Sequence, residues 1–542
     1  MATPTFQFTC SAYPADTFTV VDFQGSEALS SLYRFDIGLK TDDSVSIDLK
    51  TLFGATATLT LQGGQSNNYS GMLARVEQLQ QAGGYNYYRV VLVPPVWKLS
   101  LNLRSAGFAG MTYPGIVETV LGNAGLSCGT TASANPDVFT ADVTGTDYPE
   151  HDFTCQYAES DLDFICRLME YEGIYFYFTD NAGTCMMTLS DGASYPNAVA
   201  VPFTDPTSTN NYDSITQISA RLDGVTTEVT VTGYDYGNVT TTIEGRYGIA
   251  VDDHSLTAGY PGTWLYDHRT PTADDAARVA QVRAQESACW ACTYSGSGAL
   301  PALRAGGVFT LNSHPVAAFN REFLVTSVSH TARNVDQSWS TTAAADTTSA
   351  YYANSFTAMP VVPGQGSANA PGSATNAQFR PRRRTAKPSI SGLLSGIVCP
   401  LQDSVQIDVN SQTSPAAQFV AAVIGLQGAP IPGYQGNSSS ASDQDENLFM
   451  PPAPPMDEQG RYKVLLPFVD GTVTDGSQIS AWIRMAQVSA GIWTSVQYTL
   501  EPGAEVLLAF VNGDPDLPVI VGSVYNGAIP APLNSSSTDP QI

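Results

Sequence analysis

The sequence predicts a mainly β protein with short helices set between runs of strands, and three observations carry that prediction. Apolar side chains recur at i, i+2 in several short segments of the first hundred residues, as in Tyr33, Phe35, Ile37 and Leu39. That spacing places them on one face of an extended chain. Turn-forming pairs such as Gly63-Gly64 and Gly83-Gly84 separate the segments. The composition agrees, since 46 Gly and 34 Pro in 542 residues, with many Thr, Ser, Val and Tyr, favour turn-rich sheet over helix bundles. A chain of this length, 43% apolar and 14% charged, has material for two to four domains with substantial cores.

In order, Phe6/Phe8, Phe18/Val20, Tyr33 to Leu39, Ala57/Leu59/Leu61 and Tyr88/Val90/Leu92 each read as a strand with one buried face, which implies a barrel or sandwich. Pro114 to Leu121 reads as a short helix, with Pro in the first turn and Gly122 and Gly125 beyond its apolar stripe. The stretch from Phe153 to Phe178 is the most legible. Ser160 can accept from a first-turn N–H while Asp163 reaches back, a capping box with Asp in place of Glu. Glu159, Asp161 and Asp163 sit at the positive end of the helix dipole. Leu162, Ile165, Leu168 and Met169 form one apolar stripe, Gly173 follows the last turn, and Ile174 to Phe178 is an aromatic strand.

This stretch resembles the strand-helix-strand of the VgrG spike proteins of the bacterial type VI secretion system. The family pattern is met by Phe153, Gln156, Tyr157, Glu159, Ser160, Asp161, Phe164, Arg167, Leu168, Glu170, Glu172, Gly173, Ile174, Tyr175 and Phe178. Strands resume at Thr184 to Leu189 and Glu228 to Val231, and a helix begins at Thr272 with Ala276, Val279, Ala280 and Arg283 on one face. The methylene stem of Arg283 is expected to cover the edge of that face. Leu303 to Leu311 and Phe323 to His330, with His314, Pro315 and Asn320 between them, are again similar to the first half of VgrG. The family's usual Y-D-Y-P-G segment is altered here to Leu265-Tyr-Asp267-His-Arg269-Thr270.

Between about 360 and 398 the composition shifts to Gly, Ser, Ala, Asn and Pro, then to Arg380-Pro-Arg-Arg-Arg384-Thr-Ala-Lys387, which reads as a linker. The basic run is expected to pair with carboxylates of a neighbouring subunit or domain, or to stay solvated. The last third carries strand-length runs at Arg461 to Phe468, Ile479 to Ala486 and Glu505 to Phe510, bounded by Asp-Gly, Pro-Gly and Asn-Gly turns, and suits a small Greek-key barrel of OB type. The resemblance to VgrG is most extensive here, through Gly460, Arg461, Lys463, Trp482, Arg484, Gly503, Glu505, Phe510, Gly513, Asp514, Pro515, Asp516, Gly522, Val524, Tyr525 and Asn526 among others.

Chemistry is bounded by what the sequence lacks. There is no phosphate-binding Gly loop, no dinucleotide fingerprint, no H-E-x-x-H and no G-x-S-x-G. Cys289-x-x-Cys292 has no second ligand pair for zinc, and the eight cysteines are read as reduced thiols without a disulfide framework. His314 and His330 have no nucleophile at catalytic spacing and read as structural. Asp514 and Asp516 read as turn formers. Asp443-x-Asp445-x-Asn447 begins like a calcium loop but has Leu448 and Pro454 where Gly and Glu are needed. No catalytic, cofactor or metal residue is therefore assigned. The net charge of −26 works against nucleic acid and anionic lipid as partners, and no run of about twenty apolar residues spans a membrane. The start, Met1-Ala-Thr-Pro-Thr-Phe6, lacks a secretory signal. Synthesis is expected in the bacterial cytoplasm, with delivery outside the cell by the injection machine itself.

The resemblance implies a trimeric, non-enzymatic structural component of a contractile injection machine. Residues 1–360 would form a phage-hub-like domain of two β-barrel-like subdomains, 361–398 a linker, and 399–530 an OB-fold spike base with an insertion at 402–458. The implied partners are an Hcp-like tube ring, the baseplate, and a PAAR-like tip or an effector. The alternative is an effector- or receptor-binding module of a phage or extracellular injection tail, with specificity in 402–458. Residues 531–542, rich in Pro, Ser and Thr, are expected as a tail without a β-prism needle. Within 402–458, the apolar run 418–426 is expected to pack on the barrel or a neighbour.

Overall fold

The alternating segments of the first hundred residues fall in or directly before strands, and their alternate apolar residues are buried apart from the half-buried Phe6; Ser31–Asp42 and Tyr85–Val93 bury neighbouring residues on both faces as well. A computed structural model describes residues 4–129, 137–139, 143, 148–181, 183–192, 195, 199–207, 212–249, 262–334, 351–361, 379–399, 456–466, 480–491, 493–527 and 531. The insertion 402–458 apart from its last three residues, the run 418–426, the Asp443 loop and the tail 531–542 apart from Ala531 lie outside these. The chain divides into two units. One comprises Met1–Leu99, Val117–Asp147 and Cys166–Thr385; the other comprises Ser100–Ile116, Tyr148–Ile165 and Ala386–Ile542.

The first unit is built on a twelve-stranded sheet. From one edge the strands run Thr5–Cys10, Thr56–Gln62, Asn67–Ala82, Tyr85–Val93, Ser31–Asp42 and Thr19–Ala28, then Glu322–Arg333, Tyr351–Pro360, Cys292–Gly298 and Ile215–Leu222, all antiparallel. Val308–Asn312 pairs with Glu322–Arg333 and, in parallel, with Val199–Pro202. The strands expected as separate barrel-like groups are thus joined through the pairing of Thr19–Ala28 with Glu322–Arg333, more than three hundred residues along. Tyr33, Phe35, Ile37 and Leu39 are buried on one face; full burial of an aromatic or branched side chain contributes about 1.5–3 kcal/mol.

A smaller sheet in the same unit pairs Glu228–Gly233 with Ile243–Gly248 antiparallel and with Thr263–Tyr266 in parallel. The helix Ala273–Cys289 packs against it. Thr272 caps that helix by accepting from the Asp275 N–H at 3.1 Å. The altered segment after Leu265 is a turn closed by Arg269, whose backbone N–H and guanidinium donate to the Asp267 carboxylate at 3.0–3.1 Å.

The second unit contains a closed five-stranded barrel in the order Leu394–Val398, Arg461–Leu465, Ser480–Met485, Pro518–Val524 and Glu505–Phe510. Val398, Tyr462, Val464, Ile483, Val506, Leu508 and Ile520 fill it. The expected OB-type barrel is therefore present, and its first strand, Leu394–Val398, comes from the span read as linker. Its alternation is short and interrupted by Gly396, where a Cβ would meet the Val464 side chain at 2.4 Å. The missing side chain is what lets the neighbouring strand close in.

The helix Asp161–Glu172 contributes its first residues to the second unit and the remainder to the first. Half of the expected capping box forms. The Ser160 hydroxyl accepts from the Asp163 N–H at 3.0 Å and donates to Asp163 Oδ2 at 2.7 Å, so the carboxylate binds the hydroxyl. Asp is one methylene shorter than the Glu that normally reaches the capping backbone. At the other end Gly173 has φ +76° and the Ile174 N–H reaches the Met169 carbonyl at 2.9 Å, a Schellman closure.

Candidate functional site

His330 is 1% exposed, in the strand Glu322–Arg333 opposite Gly25. Its Nδ1 is 2.7 Å from the Tyr352 hydroxyl, and its Nε2 is 3.3 Å from both Glu27 Oε1 and the Tyr69 hydroxyl. Tyr69 donates to Glu27 at 2.8 Å; burial, with the Glu27 charge, pushes its phenol well above the usual range and keeps it a donor. Arg304 lies 4.8 Å over the Tyr69 ring and donates to Asn67 Oδ1 and the Asn68 carbonyl. An acid, an imidazole and two phenols that bond one another inside a sheet crosslink its strands. Among the described residues, the side chains that bond the imidazole are Tyr352, Glu27 and Tyr69, none of them a serine or cysteine.

His314 sits between the rings of Phe203 and Phe319, and its Nδ1 accepts from the Val316 N–H at 3.0 Å. Asn320 ties the same loop by bonding the His314 backbone on both sides. Cys289 and Cys292 are both buried; burial pushes the Cys289 thiol up to about 12. Among the described residues no group of three or more His, Cys, Asp or Glu could hold a metal ion. No helix among them is long and apolar enough to cross a membrane.

In the second unit, Lys387 answers what the Asp514-Pro-Asp516 pair does. Its ammonium lies 2.5 Å from a carboxylate oxygen of each, and Asp516 also accepts from the Cys155 N–H at 2.6 Å. The ammonium lies against both carboxylates and offsets their mutual repulsion in the turn. Asp161 is held likewise, by Arg104 Nε at 2.7 Å and Gln156 Nε2 at 2.9 Å, with Asn102 as a third donor. These contacts give Gln156 and Asp161 of the family-like motif a structural role.

The basic run is not merely solvated. Arg382 stacks 4.1 Å over Trp290 and Arg383 4.4 Å over Tyr171, whose ring also carries Arg269 at 4.0 Å. Sequence reasoning missed this because the aromatic partners lie in two distant helical ends. On the second unit's surface Val488, Trp493, Tyr498 and Tyr525 are exposed, Trp493 at 94%. Among the described residues Ile215–Leu222 in the first unit pairs along its length with Cys292–Gly298, and on its other side only Ile215 pairs, through a bridge to Phe203.

A wide sheet with a smaller helix-backed sheet in one unit, and a closed OB-type barrel in the other, are the parts of a hub-and-injector protein. The chain belongs to the phage tail baseplate hub (GPD) family, which matches residues 26–336, more than half its length. Residues 455–525 match the type VI secretion system/phage-baseplate injector OB domain. It is 27% identical over 544 residues to the type VI secretion system spike protein VgrG1a of Pseudomonas aeruginosa, covering 98% of this chain and 71% of that protein. Against VgrG1b of the same organism it is 25% identical over 97% of its own length, and spans 61% of the relative. In fold it is similar to the Escherichia coli c3393 protein, a type VI secretion component described as similar to the T4 bacteriophage tail proteins gp27 and gp5. The TM-score is 0.58 at 18% identity, covering 96% of this chain and all of the other.

Proposed function

We propose that this protein is the hub and spike base of a contractile injection machine, acting as a structural part and not as an enzyme. The observation that carries the reading is the presence in one chain of a hub-family sheet and an injector OB barrel, in that order. In this reading residues 1–360 supply the hub and 399–530 the spike base, with 402–458 as an insertion in the barrel. Three copies would form a ring that joins a tube ring and baseplate to the tip, where a capping protein or an effector binds. The edge from Thr216 to Leu222, unpaired on one side among the described residues, and the exposed Trp493 side chain support self-association, because open strand edges and exposed aromatics are unfavourable in an isolated subunit. The protein would do its work outside the producing cell as part of the delivered spike. Native mass measurement of the full chain tests the assembly: three copies of 57.5 kDa support it, and a stable monomer at micromolar concentration overturns it.

A further inference from the structure

We propose that the segment from Phe379 to Ile390, which carries the chain out of the first unit and into the second, is a crossover pinned at both ends, without the slack of a tether. Its first pin lies wholly in the first unit. Arg380 is buried and spends its donors on fixed acceptors: Nε on Gln285 Oε1 at 2.8 Å, and Nη1 on the Gly173 and Asp191 carbonyls at 2.8 and 3.0 Å. Its backbone N–H donates to Cys289 Sγ at 3.2 Å, and the preceding Phe379 N–H to the Tyr195 hydroxyl at 2.9 Å. Four and five residues on from Arg380, the Glu170 carboxylate accepts from the Arg384 N–H, the Thr385 N–H and the Thr385 hydroxyl, all at 2.9–3.0 Å. Bonds to an ionised carboxylate are about twice as strong as neutral ones.

The second pin lies wholly in the second unit. Lys387 is held by Asp514 and Asp516, and the Ile390 N–H donates to the Gly513 carbonyl at 2.9 Å. Each pin has a glycine under it. A Cβ on Gly173 would come 2.9 Å from Arg380 Cδ, and one on Gly513 would come 2.3 Å from Ser389 Oγ. Both glycines have positive φ, +76° and +72°, so local turn geometry and the docking of the segment demand the same residue. Between Thr385 and Lys387 only Ala386 is left unheld. The end of the span read as linker, from Phe379 onward, is therefore fixed to within one residue of the point where the chain changes units. If the machine reading is right, a pull on one unit meets anchored backbone before any chain is paid out.

Limited trypsin digestion of the full chain tests the pins without reference to the machine. Arg380 and Lys387 are each followed by Pro, so cutting in this stretch is confined to the bonds after Arg382, Arg383 and Arg384. All three are exposed, but Arg382 and Arg383 also lie over the Trp290 and Tyr171 rings, so the bond after Arg384, whose N–H is held by Glu170, reports on the backbone pin most directly. The expected result is slow cutting there in the native chain, accelerated at least tenfold in Glu170→Gln and in Thr385→Val, with the thermal unfolding midpoint of Thr385→Val close to the parent. Should Glu170→Gln unfold the chain, Thr385→Val alone decides. Native cutting at 382–384 as fast as in the urea-unfolded chain, or no acceleration in a folded variant, overturns the proposal. Neither result depends on the number of copies or on injection, so the machine reading stands or falls separately.

Discussion

Arg380 Nη1 donates to the carbonyl of Gly173 at 2.8 Å, and the Arg380 stem lies where a side chain on Gly173 would have to go. The glycine that ends the helix is thus also the floor of a docking notch. Gly173→Ala is expected to cost roughly 2 kcal/mol or more, from the left-handed backbone and from the overlap together. Thermal unfolding reads the loss, and a midpoint equal to the parent's would show that neither constraint acts.

Acid stability carries the signature of the Asp267–Arg269 turn. Burial by itself would raise the Asp267 carboxyl; the charge and hydrogen bonds of Arg269 outweigh it and hold the group at about 2, below its usual 3.8. A folded value below the unfolded one means stabilisation that is complete above pH 3.8 and fades as the pH falls toward 2. The difference is worth about 2 kcal/mol. Asp267→Asn should lower stability at neutral pH and flatten the dependence between pH 4 and 2; equal slopes for the two proteins in urea titrations would count against this.

Removing one hydroxyl tests the scaffold role of the His330 cluster. Tyr352→Phe leaves His330 Nδ1 without its 2.7 Å partner in a buried site and is expected to destabilise by about 1–3 kcal/mol while the far-ultraviolet spectrum stays unchanged. A fully stable variant would mean that water or another group replaces the phenol at no cost.

Cys289 should resist alkylation in the native state. Its thiol is buried, its sulfur accepts the Arg380 N–H, and a value near 12 leaves almost no thiolate at pH 8. Iodoacetamide followed by peptide mass mapping is expected to leave it unmodified until the chain unfolds. Rapid native labelling would show that residues 379–380 open readily.

The sequence by itself determined faces and stops. Alternation told which side of Tyr33–Leu39 is buried, because the side-chain period of a strand is two whatever it pairs with. Ser160 and Gly173 marked the ends of a helix, because capping is local chemistry. The motif runs were long enough to indicate the family. Tertiary structure decided partners. Nothing near Gly25 says that it faces His330, since pairing depends on which chain closes over it three hundred residues later. Nor does the composition of 379–398 reveal that Arg380 is buried or that Leu394–Val398 closes a barrel. An arginine reads as a surface residue until the carbonyls, carboxamide and aromatic faces that hold it come together from separate segments, and only the folded chain does that.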